Sequence, residues 1–234
     1  MKTLPVLFSL AAFALSSPSA AAAEVAAGST ADTKVAAVLF DADSPDVAEI
    51  RAMGERAINR VGVSLVSEVT SAVAKDGAEG AVGVCHLKAL PLTGEIIAGM
   101  PRITAVKRTS LRLRNPANAP DAAEQLVLDR VQRDISRGDV PPKLLVQRID
   151  LEGDNREWRV YRPIGVLPQC VACHGAVEKQ SAALREALQK LYPGDQATGY
   201  AAGEWRGLIR VTVMEPKPVA TPAPATKKLP ARKA

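Results

Sequence analysis

The sequence is poor in aromatic side chains, in cysteine and in histidine. Phenylalanine, tryptophan and tyrosine together make up 3% of its 234 residues, and two of the three phenylalanines, Phe8 and Phe13, lie near the N-terminus. The chain has three cysteines and only two histidines, His86 and His174. Since large rings usually supply much of a core, we expect a domain with so few of them to depend on a bound cofactor for part of its packing.

The globular part of the sequence has no excess charge of either sign. The net charge of the chain is +5, and five basic residues without any acid follow Glu215: Lys217, Lys227, Lys228, Arg232 and Lys233. Residues 216–234 are otherwise rich in Pro, Ala and Thr, which is typical of a disordered tail. Because the positive excess lies on this tail and not on a folded surface, we do not expect the protein to bind nucleic acid.

Long apolar runs are missing after the first residues of the chain. Lys2 is followed by an apolar run from Leu4 to Leu15 and by small residues from Ser19 to Ala23. This pattern predicts a secretory signal peptide over residues 1–23, which is too short to remain as a membrane span. The mature protein is therefore expected to begin near Glu24 and to be periplasmic or otherwise exported, and soluble.

Residues 170–174 form the pattern C-x-x-C-H, the attachment site of c-type haem. The thiols of Cys170 and Cys173 lie on one turn and can each add to a porphyrin vinyl group, while His174 is held where its imidazole can ligate the iron. A redox-active dithiol is an alternative, but no βαβ unit precedes the motif. A second alternative is that the two cysteines form half of a zinc site, but the sequence has no second Cys/His pair with the spacing needed to complete such a site. The sequence thus predicts one covalently bound haem c with His174 as the proximal ligand.

The sixth position of such an iron has several candidates. If Cys170 and Cys173 form thioethers, Cys85 remains as a lone thiol in an exported protein. It can ligate the iron or be a small buried residue, since free cysteine packs as an apolar group. The neighbouring His86 is a less favoured ligand, because adjacent helical residues cannot both face one iron atom. The remaining alternatives for the sixth ligand are a methionine, such as Met100 or Met214, or no residue at all.

The spacing of apolar residues predicts an α+β domain over residues 44–215, built around an antiparallel sheet. A flexible lead-in over residues 24–43 precedes a long amphipathic helix that begins at Ser44-Pro45 and ends near Gly77. The predicted elements that follow are a short helix (78–87), a strand (103–114), a helix from Asp121 to Gly138, a hairpin (144–151 and 157–166), the haem motif, a helix (183–191) and a strand (205–214).

Six stretches of the sequence, in order, resemble a family of PAS-like c-type haem domains. These domains occur as free exported proteins and as extracytoplasmic input domains of histidine kinases and chemoreceptors. The resemblance implies a PAS-like antiparallel sheet with a long N-terminal helix and further helices packed around the haem, and it implies that Cys85 supplies the sixth ligand. This chain departs from the family at Ala122-Ala123, where an aromatic residue is usual. The matching stretches are 108–110, 114–121, 161–164, 170–175, 192–200 and 207–211.

Arginines on the predicted sheet are candidates for binding the haem propionates. A guanidinium group binds a carboxylate through two parallel hydrogen bonds, so it suits a propionate well. Arg108, Arg112 and Arg114 share one face of the strand predicted over residues 103–114, and Arg162 lies on the hairpin.

These features predict an exported monohaem c-type cytochrome-like protein that senses redox state or a diatomic gas such as nitric oxide or carbon monoxide. Loss of the iron–thiolate bond would release Cys85 and shift the helix before it, and the signal would pass to a redox partner or a membrane-bound signalling protein. The long helix is a candidate homodimer interface. The alternative is a periplasmic electron carrier with a fixed six-coordinate haem. An enzyme such as a peroxidase ranks last, because no distal acid–base set is evident.

Overall fold

A five-stranded antiparallel sheet forms the centre of the fold, which is known from a computed structural model. The structure describes residues 36–40, 44–87, 94, 95, 97–151 and 156–215, with the backbone alone for residues 36, 46 and 84–87. The predicted signal peptide, the basic tail and the turn of the hairpin lie outside the described residues. In the part of the chain that is described, no helix is both long and apolar enough to cross a membrane.

The chain forms five strands and four helices among the described residues. The strands are β1 (Ala36–Phe40), β2 (Ile103–Thr109), β3 (Leu145–Asp150), β4 (Arg156–Gly165) and β5 (Trp205–Met214). Their order in the sheet is β1-β3-β4-β5-β2, and every neighbouring pair is antiparallel. The helices are α1 (Ala48–Leu87), α2 (Ala122–Ser136), α3 (Val171–His174) and α4 (Ala182–Leu191), and short 3-10 turns cover Pro45–Val47, Pro116–Asn118, Pro168–Cys170 and Val177–Lys179. This arrangement confirms the predicted α+β class.

The sheet carries a helix on each face, as the period-two alternation of its strands requires. On one face, residues of α1 pack against the apolar side chains of the central strands; this cluster includes Ile50, Ala57, Ile58, Val146, Trp158, Val160, Val211 and Val213. On the other face, α2 packs against the residues in between; this second cluster includes Val127, Leu128, Val131, Leu145, Tyr161 and Leu208. Helix α1 approaches the sheet closely at Gly54, where an added Cβ would lie 2.4 Å from the Cβ of Val160.

Helix α1 is interrupted where the sequence predicts its end. Gly77 has φ 72° and ψ 178°, a conformation that is left-handed in φ and costs a non-glycine residue free energy. The segment from Ala78 to Leu87 then continues as helix in a new direction. Its Val82 packs with Leu184, Leu188 and Tyr192 of the α4 region. The predicted long helix and the predicted short helix are therefore two parts of α1, which are separated by the break at Gly77.

The structure differs from the predicted elements in three places. Residues 36–40 of the predicted lead-in form β1, because pairing with β3 and the contact of Phe40 with Trp158 (5.4 Å between ring centroids) stabilise a segment with little signal of its own. The side chain of Ser44 does not cap the following helical turn. Strand β2 ends at Thr109 and not at Arg114, because Ser110 Oγ hydrogen-bonds to the backbone of Arg112 and ends the alternation.

Candidate functional site

A cavity of about 910 Å³ lies between α1, the sheet and the C-x-x-C-H motif. Small-molecule and cofactor sites typically occupy about 300–1,000 Å³, so the cavity is large enough for a cofactor. Helix α1 forms one wall with apolar side chains: Ile58, and Leu65, Val66, Val69 and Val73 from the part beyond Val61, which we call its second half. The opposite wall comes from β2, β4, β5 and the motif, and includes Arg108, Ile164, Ile209, Cys170, Cys173 and His174.

The apolar stripe of α1 has two roles that the sequence pattern does not distinguish. Up to Val61 the stripe packs against the sheet, and Val47, Ala57 and Val61 are fully buried. Beyond Val61 the stripe lines the cavity, where Val63 is 71% exposed. A bulky apolar group in the cavity would bury this exposed surface.

The C-x-x-C-H motif folds as one tight turn. A 3-10 turn over Pro168–Cys170 leads directly into α3, which ends at His174. The backbone N–H of Gly175 donates to the carbonyl oxygen of Val171 at 2.8 Å, and a Cβ at position 175 would lie 2.6 Å from that oxygen. Glycine is therefore required directly after His174. The turn places Cys170, Cys173 and His174 together on the cavity wall.

His174 is held in a single orientation. Its Nδ1 lies 2.7 Å from the carbonyl oxygen of Ala197, and because a carbonyl only accepts, Nδ1 must carry the hydrogen. Burial, helped by the charge of Arg114, lowers the pKa of His174 to about 3, so the imidazole is neutral at physiological pH. The lone pair is consequently on Nε2. A metal-binding histidine usually has this arrangement, in which the second ring nitrogen donates to a carbonyl or carboxylate.

The loop that accepts this hydrogen bond is anchored on the motif by Arg114. The Arg114 Nε lies 2.9 Å from Asp195 Oδ2, and its Nη2 donates to the carbonyl oxygen of Cys173 at 2.6 Å. Asp195 also accepts from the backbone N–H of Ala197 at 2.8 Å. The backbone N–H of Tyr200 donates to the carbonyl oxygen of His174 at 2.8 Å. Arg114 therefore joins the loop to the turn that carries His174.

The other arginines predicted from the sequence lie in different surroundings. Arg108 lines the cavity, and its side chain has no hydrogen-bond or ion-pair partner among the described residues. Arg162 also lines it, and its Nη2 lies 3.1 Å from Glu55 Oε1. Arg112 is not among the residues that line the cavity. Its Nε donates to the carbonyl oxygen of Gln196 at 3.0 Å, and its guanidinium lies 4.4 Å from the centre of the Tyr200 ring.

One arginine of the cavity wall, Arg206, was not among the predicted site residues. Strict alternation along β5 would place it on the same face as Arg210, away from Ile209. With Arg206, the described residues that line the cavity include four arginines and no aspartate or glutamate. The wall therefore suits a ligand that combines a large apolar body with negative charge.

The candidates for the sixth iron ligand are described only in part. The side chains of Cys85 and His86 lie outside the described part of the structure. The backbone of Cys85 follows Ala81 and Val82 by one helical turn, and both of these residues line the cavity. Met100 packs against the core between α1 and the sheet, Met214 is 50% exposed at the end of β5, and neither lines the cavity.

The described residues fit a haem. No group of three or more His, Cys, Asp or Glu side chains that could hold a bare metal ion occurs among them. A haem iron needs only axial ligands from the protein, because the porphyrin supplies the other four. The cavity offers one such ligand in His174, two thiols for attachment, and arginines for the carboxylates. Arg206 Nε and Thr109 Oγ1, two polar atoms of this wall, are buried without a hydrogen-bond partner in the structure.

Comparisons with known proteins agree with this description. The crystal structure of the cyanobacterial haem protein Tll0287 matches the chain with a TM-score of 0.52 and 22% sequence identity, and covers 74% of this chain and 98% of that chain. At this identity the match shows the shared fold, and the predicted PAS-like α+β architecture is confirmed. No match was found among the curated proteins. The model of the family described as Tll0287-like matches residues 50–214, more than half of the sequence. The resemblance to PAS-like c-type haem domains is thereby confirmed, and the chain belongs to the Tll0287-like family.

Proposed function

We propose that this chain is an exported monohaem c-type protein that senses redox state or a diatomic gas. The relation to the haem protein Tll0287 supports haem binding. The observation that carries the proposal is the orientation of His174, whose Nδ1–H is fixed on the Ala197 carbonyl so that a neutral Nε2 is left for a metal. The haem, when bound, supplies an iron that changes between ferric and ferrous states and can take up a small gas.

Cys170 and Cys173 would hold the cofactor covalently. Each thiol would add across one vinyl group of the haem: the sulfur would bond to the carbon next to the ring, and the thiol hydrogen would go to the outer carbon. The step consumes no oxidant or reductant. Both sulfur atoms must lie close together to reach the two vinyl groups of one haem. Cys170 and Cys173 meet this requirement because they lie on the short turn over residues 168–174.

Cys85 would serve as the sixth ligand and as the switch. A thiolate on iron stabilises the ferric state, so we expect a lower reduction potential than histidine/methionine ligation gives. The segment from Ala78 to Leu87 is joined to α1 at Gly77 and packs through Val82 against Leu184 and Leu188 of α4. Release of the thiolate would free this segment to move against α4 while His174 stays fixed. A change at the iron would thus reach the surface of the domain.

A fixed electron carrier is the second candidate. The motif lies close to the surface, since Pro168, Gln169 and Ala172 are exposed. This exposure favours electron exchange with a redox partner at the edge of the haem.

The ferric electron paramagnetic resonance spectrum tests the proposed ligand set. Protein produced together with a c-type haem-attachment system is expected to give the narrowly spread low-spin signal of a thiolate-bound haem. Cys85→Ser should convert this signal to a high-spin or widely spread one, whereas His86→Ala should leave it unchanged. If the wild-type protein itself gives the high-spin or widely spread signal, Cys85 is not the ligand.

Carbon monoxide distinguishes the sensor from the carrier. We expect the ferrous absorption spectrum of the holoprotein to change when carbon monoxide or nitric oxide is added, because reduction weakens the iron–thiolate bond. A carrier with two fixed ligands would give the same ferrous spectrum with and without the gas. An unchanged spectrum would therefore remove gas sensing and favour the electron carrier.

A further inference from the structure

Arg206 reaches the cavity because it is the extra residue of a β-bulge. In the pairing of β4 with β5, Ile164 lies opposite Gly207 and the next residue, Gly165, lies opposite Trp205, so Arg206 has no partner on β4. Gly207 has a φ of 152°, and a Cβ there would lie 2.3 Å from the carbonyl oxygen of Thr109. Bulges of this kind redirect a side chain and are frequent beside functional sites. The bulge turns Arg206 out of the strict alternation of β5 and onto the cavity wall.

The Arg206 side chain is held in place but is not neutralised. Its Nη1 donates to Ser110 Oγ at 2.7 Å and to the carbonyl oxygen of Arg112 at 2.9 Å, and its guanidinium lies 5.5 Å from the centre of the Tyr200 ring. Its Nε is buried and has no hydrogen-bond partner. None of the described carboxylates forms an ion pair with it. A guanidinium N–H donor that is buried and unused is costly unless a further group accepts from it.

Arg108 provides a second unpaired positive charge on the same wall. The strand registers place Arg108 of β2 and Arg162 of β4 on either side of Ile209 of β5, in one row on the face that carries α1. Arg162 is bound by Glu55, and Arg114 is bound by Asp195. Arg108 has no acidic partner among the described residues. Of the four arginines that line the cavity, Arg108 and Arg206 are thus the two whose charge the described part of the protein does not use.

We infer that Arg206 and Arg108 form the carboxylate-binding subsite of the cavity, which receives the propionate groups of the haem. This inference rests on the proposed function, because it assigns residues to part of the same ligand. Arg114 then acts by joining the 195–200 loop to the turn that carries His174, and Arg112 and Arg162 hold protein groups. The sequence predicts Arg108, Arg112, Arg114 and Arg162 for the propionates; the subsite keeps Arg108 from that set and adds Arg206. Bidentate pairing would use the free Nε of Arg206.

Resonance Raman spectroscopy of the holoprotein tests this subsite, since the propionate bending bands shift when hydrogen bonds to the propionates are lost. We expect these bands to shift in both Arg206→Met and Arg108→Met. Matched variants of the arginines that are used elsewhere, Arg162→Met and Arg112→Met, should keep the wild-type bands. Wild-type bands in Arg206→Met and Arg108→Met would overturn the inference, and so would a shift confined to the two matched variants.

Two further comparisons keep the test decisive. If Arg206→Met accumulates no holoprotein, Arg206→Lys replaces it: lysine keeps the charge but cannot form the two parallel hydrogen bonds, so shifted bands support the subsite and wild-type bands overturn it. The Arg108 side chain makes no hydrogen bond within the described residues, so Arg108→Met is expected to fold as the wild type does. Failure of the haem attachment on which the inference rests is a separate result, because the wild-type protein would then contain no covalently bound haem.

Discussion

The double variant Cys170→Ala/Cys173→Ala is expected to lose covalently bound haem completely and to unfold at a much lower temperature than the holoprotein. The thioethers are the only covalent link that the proposed function provides. Without the cofactor, the apolar wall formed by the second half of α1 faces an open cavity of about 910 Å³. If haem removes on the order of 200 Å² of apolar surface from water, its loss costs about 5 kcal/mol. For a domain of this size, that corresponds to a decrease of about 10–20 °C in Tm.

Haem staining after denaturing electrophoresis measures the first effect, and thermal unfolding followed by circular dichroism measures the second. Cys85→Ala is the matched control. It removes a thiol outside the motif, so it should retain the covalent haem and lose much less stability than the double variant. Equal melting temperatures of the double variant and the holoprotein would show that the fold does not depend on the haem. Covalent haem in the double variant would contradict the attachment chemistry itself.

Most of the sheet could be predicted from the sequence. Strands between α1 and α2 direct alternate side chains to the two faces of the sheet, and this gives them a period of two in the sequence. The hairpin of β3 and β4 and the closing strand β5 were predicted in this way. Strand β1 was not, since its five residues are stabilised by pairing with β3 and not by a pattern of their own. Local sequence gives little information about an edge strand whose stability comes from its partner.

As a group, only the residues of the site that lie close together in the sequence could be predicted. The residues of the C-x-x-C-H motif lie on one turn, so the motif can be recognised from the local sequence alone. The spacing of the α1 stripe predicts that it packs against the domain, and the same spacing does not indicate that its second half lines a cavity. Strict alternation along β5 does not predict Arg206 as a residue of the cavity wall, because the strand contains a bulge at this position. Gly207, a glycine inside a strand, is the signal that could have indicated one.

The face of the sheet opposite the cavity contains a buried carboxylate that the haem does not explain. The side chain of Glu124 is fully buried, and its Oε2 lies 2.6 Å from Lys107 Nζ while its Oε1 lies 3.0 Å from Arg210 Nε. The same carboxylate accepts from the backbone N–H of Asp121 at 2.9 Å, and Asp121 caps the helix by accepting from the N–H of Glu124. Glu124 therefore joins the start of α2 to β2 and β5.

Replacing Glu124 by glutamine is expected to destabilise the protein more than any exposed substitution of the same kind. Glutamine keeps the size of the side chain but leaves Lys107 without this counter-charge, and it leaves Arg210 with only the longer contact to Glu157, at 4.0 Å. Breaking a buried ion pair from one side costs about 3–5 kcal/mol. We therefore expect the Tm to fall by roughly 6–20 °C. The change lies across the sheet from the cavity, so covalent haem should still be present. Thermal and urea unfolding of the holoprotein measure the loss, and haem staining checks the cofactor.

Glu55→Gln is the matched control, because Glu55 also pairs with an arginine but its side chain is 43% exposed. Solvent screens such a pair, so its loss should cost less than about 1 kcal/mol. The contrast between the two variants separates the effect of burial from that of removing a carboxylate. If both change the free energy of unfolding by the same small amount, Glu124 does not fix α2 to the sheet, and the packing of Val127, Leu128 and Val131 is sufficient. If only Glu124→Gln is strongly destabilised, the charges on this face determine where α2 begins.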